Sequence, residues 1–79
     1  MNRPQIKKQL TETDRHIAAA KGLIARQRAI LGRTLAMGYP SELADSTLDA
    51  LEGSLRMLEE HRERRLTELN RRLASNSGI

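Results

Sequence analysis

The 79 residues contain no cysteine, one aromatic (Tyr39) and 38% apolar side chains drawn from Leu, Ile, Ala and Met, a composition suited to one small helical domain and poor for a sheet. It excludes a disulfide staple and a thiolate metal site, and no apolar run approaches the roughly 18 residues of a membrane span. The net charge of +4 is uneven: residues 1–38 carry eight basic against two acidic residues, for +6, and residues 39–79 six against eight, for −2.

The stretch Met1-Asn2-Arg3-Pro4 leads into polar sequence without the apolar centre of a signal peptide, so the expected location is cytoplasmic. Pro4 suits a first helical turn, and a helix is predicted from there to about Met37. Its seam is Ile6, Leu10, Thr13, Ile17, Ala20, Ile24, Gln27, Leu31 and Leu35, at alternating steps of about three and four residues. At about 100° per residue, Leu23, Ile30 and Met37 form a second apolar stripe beside that seam, more than one partner helix covers. Another face carries the small residues Ala18, Gly22, Ala25, Ala29, Gly32 and Ala36. Alanine is the best helix former, but each mid-helix glycine costs about 1 kcal/mol relative to it. Close approach of a partner backbone would offset that cost, which makes the ridge a candidate partner surface.

Met37-Gly38-Tyr39-Pro40-Ser41 then reverses the chain. Gly38 can take the left-handed conformation that ends a helix, and Pro40 lacks the N–H to continue one. Ser41 is an expected N-cap, its hydroxyl accepting from a free backbone N–H, and Glu42 and Asp45 follow at the positive end of the helix dipole. The second helix is predicted over about 42–74, with the seam Ala44, Leu48, Leu51, Leu55, Leu58, Arg62, Leu66, Leu69 and Leu73. Glu52/Arg56, Glu60/Arg64 and Glu68/Arg72 stand at i,i+4 in the favourable order. Arg62 falls on the seam, where its stem would pack while its guanidinium reaches solvent or Asp14 opposite. Residues 75–79 are turn-rich and expected to fray.

Folded about the turn, Leu31 meets Leu48, Ile24 meets Leu55, Leu10 meets Leu69 and Ile6 meets Leu73. Lys21, Arg26, Arg28 and Arg33 come near Glu42, Asp45, Asp49 and Glu52, so part of the charge imbalance is internal complementarity. The stripe Leu23/Ile30/Met37 shares a side with Leu43, Ala50, Ser54 and Met57, an apolar strip too large for a soluble monomer to leave bare. The predicted fold is all-α: an antiparallel, coiled-coil-like two-helix hairpin that self-associates through Leu23, Ile30, Met37, Leu43, Ala50 and Met57 into a four-helix bundle, as a homodimer.

Catalytic patterns are missing: no cysteine nucleophile, Gly-rich phosphate loop, His-Glu-x-x-His or paired buried carboxylates. No enzyme activity and no cofactor are expected. His16 and His61 lie at one height on the same flank, and a two-fold dimer would gather four imidazoles, the donor set of a zinc or nickel site. With no carboxylate or cysteine at motif spacing, polar interface contacts are the commoner role. Lys8, Arg15, Arg26 and Arg33 form a basic ridge able to contact phosphates, joined at the open end by Arg3, Lys7, Arg64, Arg65, Arg71 and Arg72. The interleaved acids Glu12, Glu60, Glu63 and Glu68 and the lack of stacking aromatics argue for a solvated face instead.

His16-Ile17-Ala18, Ile24-Ala25-Arg26-Gln27-Arg28, Gly38-Tyr39-Pro40-Ser41, Leu51-Glu52-Gly53-Ser54-Leu55 and His61-Arg62 resemble a group of short, functionally uncharacterised helical-hairpin proteins frequent in alphaproteobacteria. The resemblance spans about residues 14–69; Tyr39-Pro40-Ser41 replaces the usual small acidic or threonine turn residues. It implies a helical hairpin of bacterial cytoplasmic origin and carries over no particular activity. The expected function is a non-catalytic protein–protein interaction or scaffold module with a protein partner, the alternative a small nucleic-acid-associated regulator using the basic ridge.

Overall fold

The computed structural model describes residues 2–77, with side chains described through Ser75. Two helices, α1 (Arg3–Ala36) and α2 (Glu42–Ser77), pack antiparallel as a hairpin about 65 Å long and 15 Å across. No helix is long and apolar enough to cross a membrane.

Helix α1 starts one residue before Pro4 because Asn2 caps it. The Gln5 N–H donates to Asn2 Oδ1 (2.9 Å) and the Asn2 N–H donates to Gln5 Oε1 (3.0 Å), a reciprocal pair that satisfies two end donors. Its other end is a Schellman cap. Gly38 takes φ +75°, its N–H donates to the Leu35 carbonyl (3.1 Å), and the Tyr39 N–H donates to the Thr34 carbonyl (3.1 Å). A Cβ at position 38 would be strained by that φ, so the turn requires its glycine.

Ser41 acts otherwise than expected. Its carbonyl accepts the first helical bond from the Asp45 N–H (2.8 Å), but its hydroxyl donates to Asp45 Oδ2 (3.1 Å). The charged acceptor one turn on makes the stronger hydrogen bond. Helix α2 then continues past the predicted end at 74, so 75–77 are helical; positions 78 and 79 of the expected frayed tail lie outside the described residues. Serine and asparagine cost only a few tenths of a kcal/mol each in a helix, too little to stop one.

The inner faces follow the predicted seams over most of their length. Ile6, Thr13, Ile24 and Leu69 are buried, flanked by half-buried Leu10, Ile17, Ala20, Leu31, Leu48, Leu51, Leu55, Leu58 and Leu66. Gln27 keeps its seam place by donating from Nε2 to the Ala44 carbonyl (3.2 Å). Near the turn the seam passes to half-buried Thr34, three residues after Leu31, leaving Leu35 at 59% exposed. At the open end, Leu73 is likewise exposed, though less so, at 42%. Two helices in one layer have no third element to roof their contact, which keeps most seam leucines only half covered.

Candidate interaction surface

The two flanks of the hairpin differ in chemistry. On one, Asp14, Ile17, Lys21 and Arg62 line an open furrow that continues through Ile24, Ala25, Arg28, Glu52 and Leu55. This flank is laced across the helices. Arg62 Nε donates to Asp14 Oδ1 at 2.7 Å, and Arg28 Nη2 donates to Glu52 Oε1 at 3.2 Å. The Asp14 hydrogen bond and charge raise the Arg62 guanidinium pKa above its ordinary value.

Only part of the predicted charge pairing forms. Arg28–Glu52 is made, whereas Lys21, Arg26 and Arg33 form no ion pair with Glu42, Asp45 or Asp49 among the described residues. Lys21 shares the laced flank, but Arg26 and Arg33 point off the seam and away from those acids. Of the three i,i+4 pairs, Glu68–Arg72 forms (3.5 Å), while Glu52 is taken by Arg28 and Glu60–Arg64 is not made among the described residues. Arg65 Nη1 also donates to Glu68 Oε2 at 2.9 Å. Burial pushes the Glu68 carboxyl up, but the Arg65 hydrogen bond and the charges of Arg65 and Arg72 outweigh it and hold the pKa below its ordinary value.

The opposite flank is open. Near the turn, Ile30, Pro40, Leu43 and Thr47 line one furrow with Gln27, Thr34 and Ala44. Farther along, Gln9, Glu12, Thr13, His16, Leu58 and His61 line another. His16 and Ile30 are two heptads apart, as are Thr47 and His61, so both furrows run along one flank. The predicted strip residues are on it and uncovered: Leu23 46%, Ile30 42%, Met37 67%, Leu43 82% and Met57 70% exposed, with Ala50 exposed between them.

His16 and His61 do reach one furrow with Glu12, yet no group of three metal-ligating side chains forms among the described residues. The ridge Ala18, Gly22, Ala25, Ala29, Gly32 and Ala36 is exposed throughout, and a Cβ built at Gly22 or Gly32 meets nothing within 4 Å. Lys8, Arg15, Arg26 and Arg33 are exposed and in no ion pair among the described residues. Two features escaped the sequence reading. Asn2 was legible as Asn-x-x-Gln before a helix. Gln9 was not: its Oε1 is buried beside the histidines without a hydrogen-bond partner, and no spacing signals that. No family model matches the chain, and neither a curated protein nor a solved structure matches it.

Proposed function

We propose that this protein is a non-catalytic, self-associating interaction or scaffold module of the bacterial cytoplasm, in which two hairpins join along the open flank as a four-helix bundle. One observation carries the reading. Leu23, Ile30, Met37, Leu43 and Met57 are largely exposed on a single flank, while Ile6, Ile24 and Leu69 are the buried apolar residues of the described chain. A chain of this size rarely gains more than about 3–5 kcal/mol from one core, and a core this thin gains less. A second copy of the same flank is the occupant that supplies apolar area of matching length, and isologous pairing is the usual route to a closed dimer. The outward ridge of α1 stays free in that bundle as the surface offered to a protein partner.

Sedimentation at micromolar concentration tests this. A dimer or higher species is expected, lost in Ile30→Asp and kept in Arg26→Asp; a monomer with a sharp thermal transition would overturn it. A second reading, nucleic-acid association, is favoured by Lys8, Arg15, Arg26 and Arg33 being exposed and in no ion pair among the described residues. Titration with duplex DNA and RNA at two salt concentrations decides between them. Salt-sensitive binding abolished by neutralising Arg15, Arg26 and Arg33 would favour this second reading.

A further inference from the structure

We infer that the two copies associate about a two-fold axis parallel to the helices, with both turns at one end and each α1 lying beside the partner's α2. This rests on the self-association proposed above and goes beyond it by fixing which surfaces meet. The open flank is apolar only toward the turn. Its other half is polar, lined by Gln9, Glu12, His16 and His61.

Three arrangements of two such flanks are open, and area together with apolar match separates them. With turns at opposite ends and full overlap, the Leu23/Ile30/Leu43 half of one copy lies on the His16/His61 half of the other, burying imidazoles and Gln9 against leucines. With opposite ends and overlap of the apolar halves alone, the shared strip is short: residues 23–37 span about 21 Å at 1.5 Å per residue. The interface is then about a third of the 65 Å flank, well under the roughly 800 Å² per partner of a standard interface. With turns together, the whole 65 × 15 Å flank meets its copy, about 1,000 Å² of face, apolar half on apolar half.

Charge selects the same arrangement. An end-for-end dimer sets α1 beside α1, bringing residues 1–38 at +6 against their copy and the unpaired Arg26 and Arg33 near each other on the rim. The turns-together dimer instead sets each +6 segment beside the −2 segment of its partner, which is attractive. The polar half offers a third reason. His16 and His61 make no side-chain hydrogen bond among the described residues, and a parallel dyad sets them at one height in both copies, where their ring nitrogens can pair across it instead of being covered by leucine.

The cysteine-free chain allows single-site spin labels, and the probe is the whole protein carrying Arg71→Cys, at the exposed open end of α2. Turns together keeps the two labels within about 40 Å, the width of a four-helix bundle plus label arms. With turns at opposite ends and overlap of the apolar halves alone, the labels stand about 60 Å apart, because Arg71 lies about 32 Å beyond Ala50 at the middle of the strip, at 1.5 Å per residue. Glu42→Cys, at the exposed turn end of α2, tests the fully overlapped case, which puts the two turns more than about 50 Å apart at opposite ends of the 65 Å body. A short distance at both sites supports the parallel dyad, and a long distance at either overturns it. If sedimentation of the labelled protein shows a monomer, self-association itself fails, and the arrangement with it. A dimer with long distances sinks the arrangement alone.

Discussion

Leu43→Ala separates a dimer-forming flank from a merely bare one. On the single hairpin Leu43 is 82% exposed, so its truncation removes almost no contact within one copy. A monomer should lose less than about 0.5 kcal/mol, the usual range of surface substitutions, and alanine is if anything the better helix former. In the bundle the same side chain lies in the apolar half of the interface. Removing three carbons at about 0.8 kcal/mol each takes away about 2 kcal/mol per copy. Two copies, discounted for incomplete burial, give about 3 kcal/mol per dimer, or ~100-fold in Kd. Sedimentation across a concentration series reads this as a shift of the association midpoint by about two decades. Thermal melts read it again, because the Tm of a dimer rises with concentration. Superimposable association curves for the two proteins, or a wild-type Tm independent of concentration, would refute the assignment of this flank.

Ile24→Ala should act inside the hairpin: at 5% exposed it costs about 2–5 kcal/mol, comparable to the whole stability of so small a domain, and far-ultraviolet circular dichroism should show helicity lost in dilute solution. Glu68 gives a pH dependence of defined sign. Its folded pKa is depressed, so its contribution is complete above the unfolded value of about 4.3 and is lost as pH falls through the folded value; Glu68→Gln should flatten the acid limb of a Tm-against-pH plot by lowering Tm slightly at neutral pH and converging on the wild type in acid. Gly22→Leu with Gly32→Leu should stay folded and dimeric, since nothing lies within 4 Å of either Cβ, while each substitution removes a glycine penalty of about 1 kcal/mol. Loss in that variant of a partner captured by the wild type would assign the ridge; unfolding would refute its outward placement.

Helix positions and register were legible because period and punctuation agreed. Gly38 has the φ that its place before Tyr39-Pro40 predicts, and Arg62 reaches Asp14 as the seam demands. What escaped was decided by competition among side chains. Glu52 is i,i+4 from Arg56 and opposite Arg28, and spacing alone does not tell which wins; the cross-helix partner does. Ser41 had a backbone N–H and the Asp45 carboxylate within reach, and the charge took the hydroxyl. Leu35 looked like seam because leucine is apolar, but after Leu31 the next inward position is Thr34. The strip on the open flank was legible from angular position, whereas the orphan acceptor of Gln9 depended on local packing that no periodicity encodes.

The contrast between the flanks links folding to assembly. The laced flank is held by Arg62–Asp14 and Arg28–Glu52, both substantially exposed, and exposed pairs contribute about 0–1 kcal/mol each. Such pairs set register and orientation but cannot by themselves hold a 65 Å hairpin closed over three buried apolar side chains. The larger reserve of stabilisation is the uncovered apolar area of the other flank, which is realised only when a second surface covers it. In the proposed dimer the hairpin is therefore marginal alone and firm when paired, so that folding and association form one concentration-dependent equilibrium. Ile24→Ala and Leu43→Ala probe its two halves. A deficit caused by Leu43→Ala should be relieved by raising protein concentration at unchanged Tm slope, and one caused by Ile24→Ala should need more protein still, because it weakens the unit that associates as well.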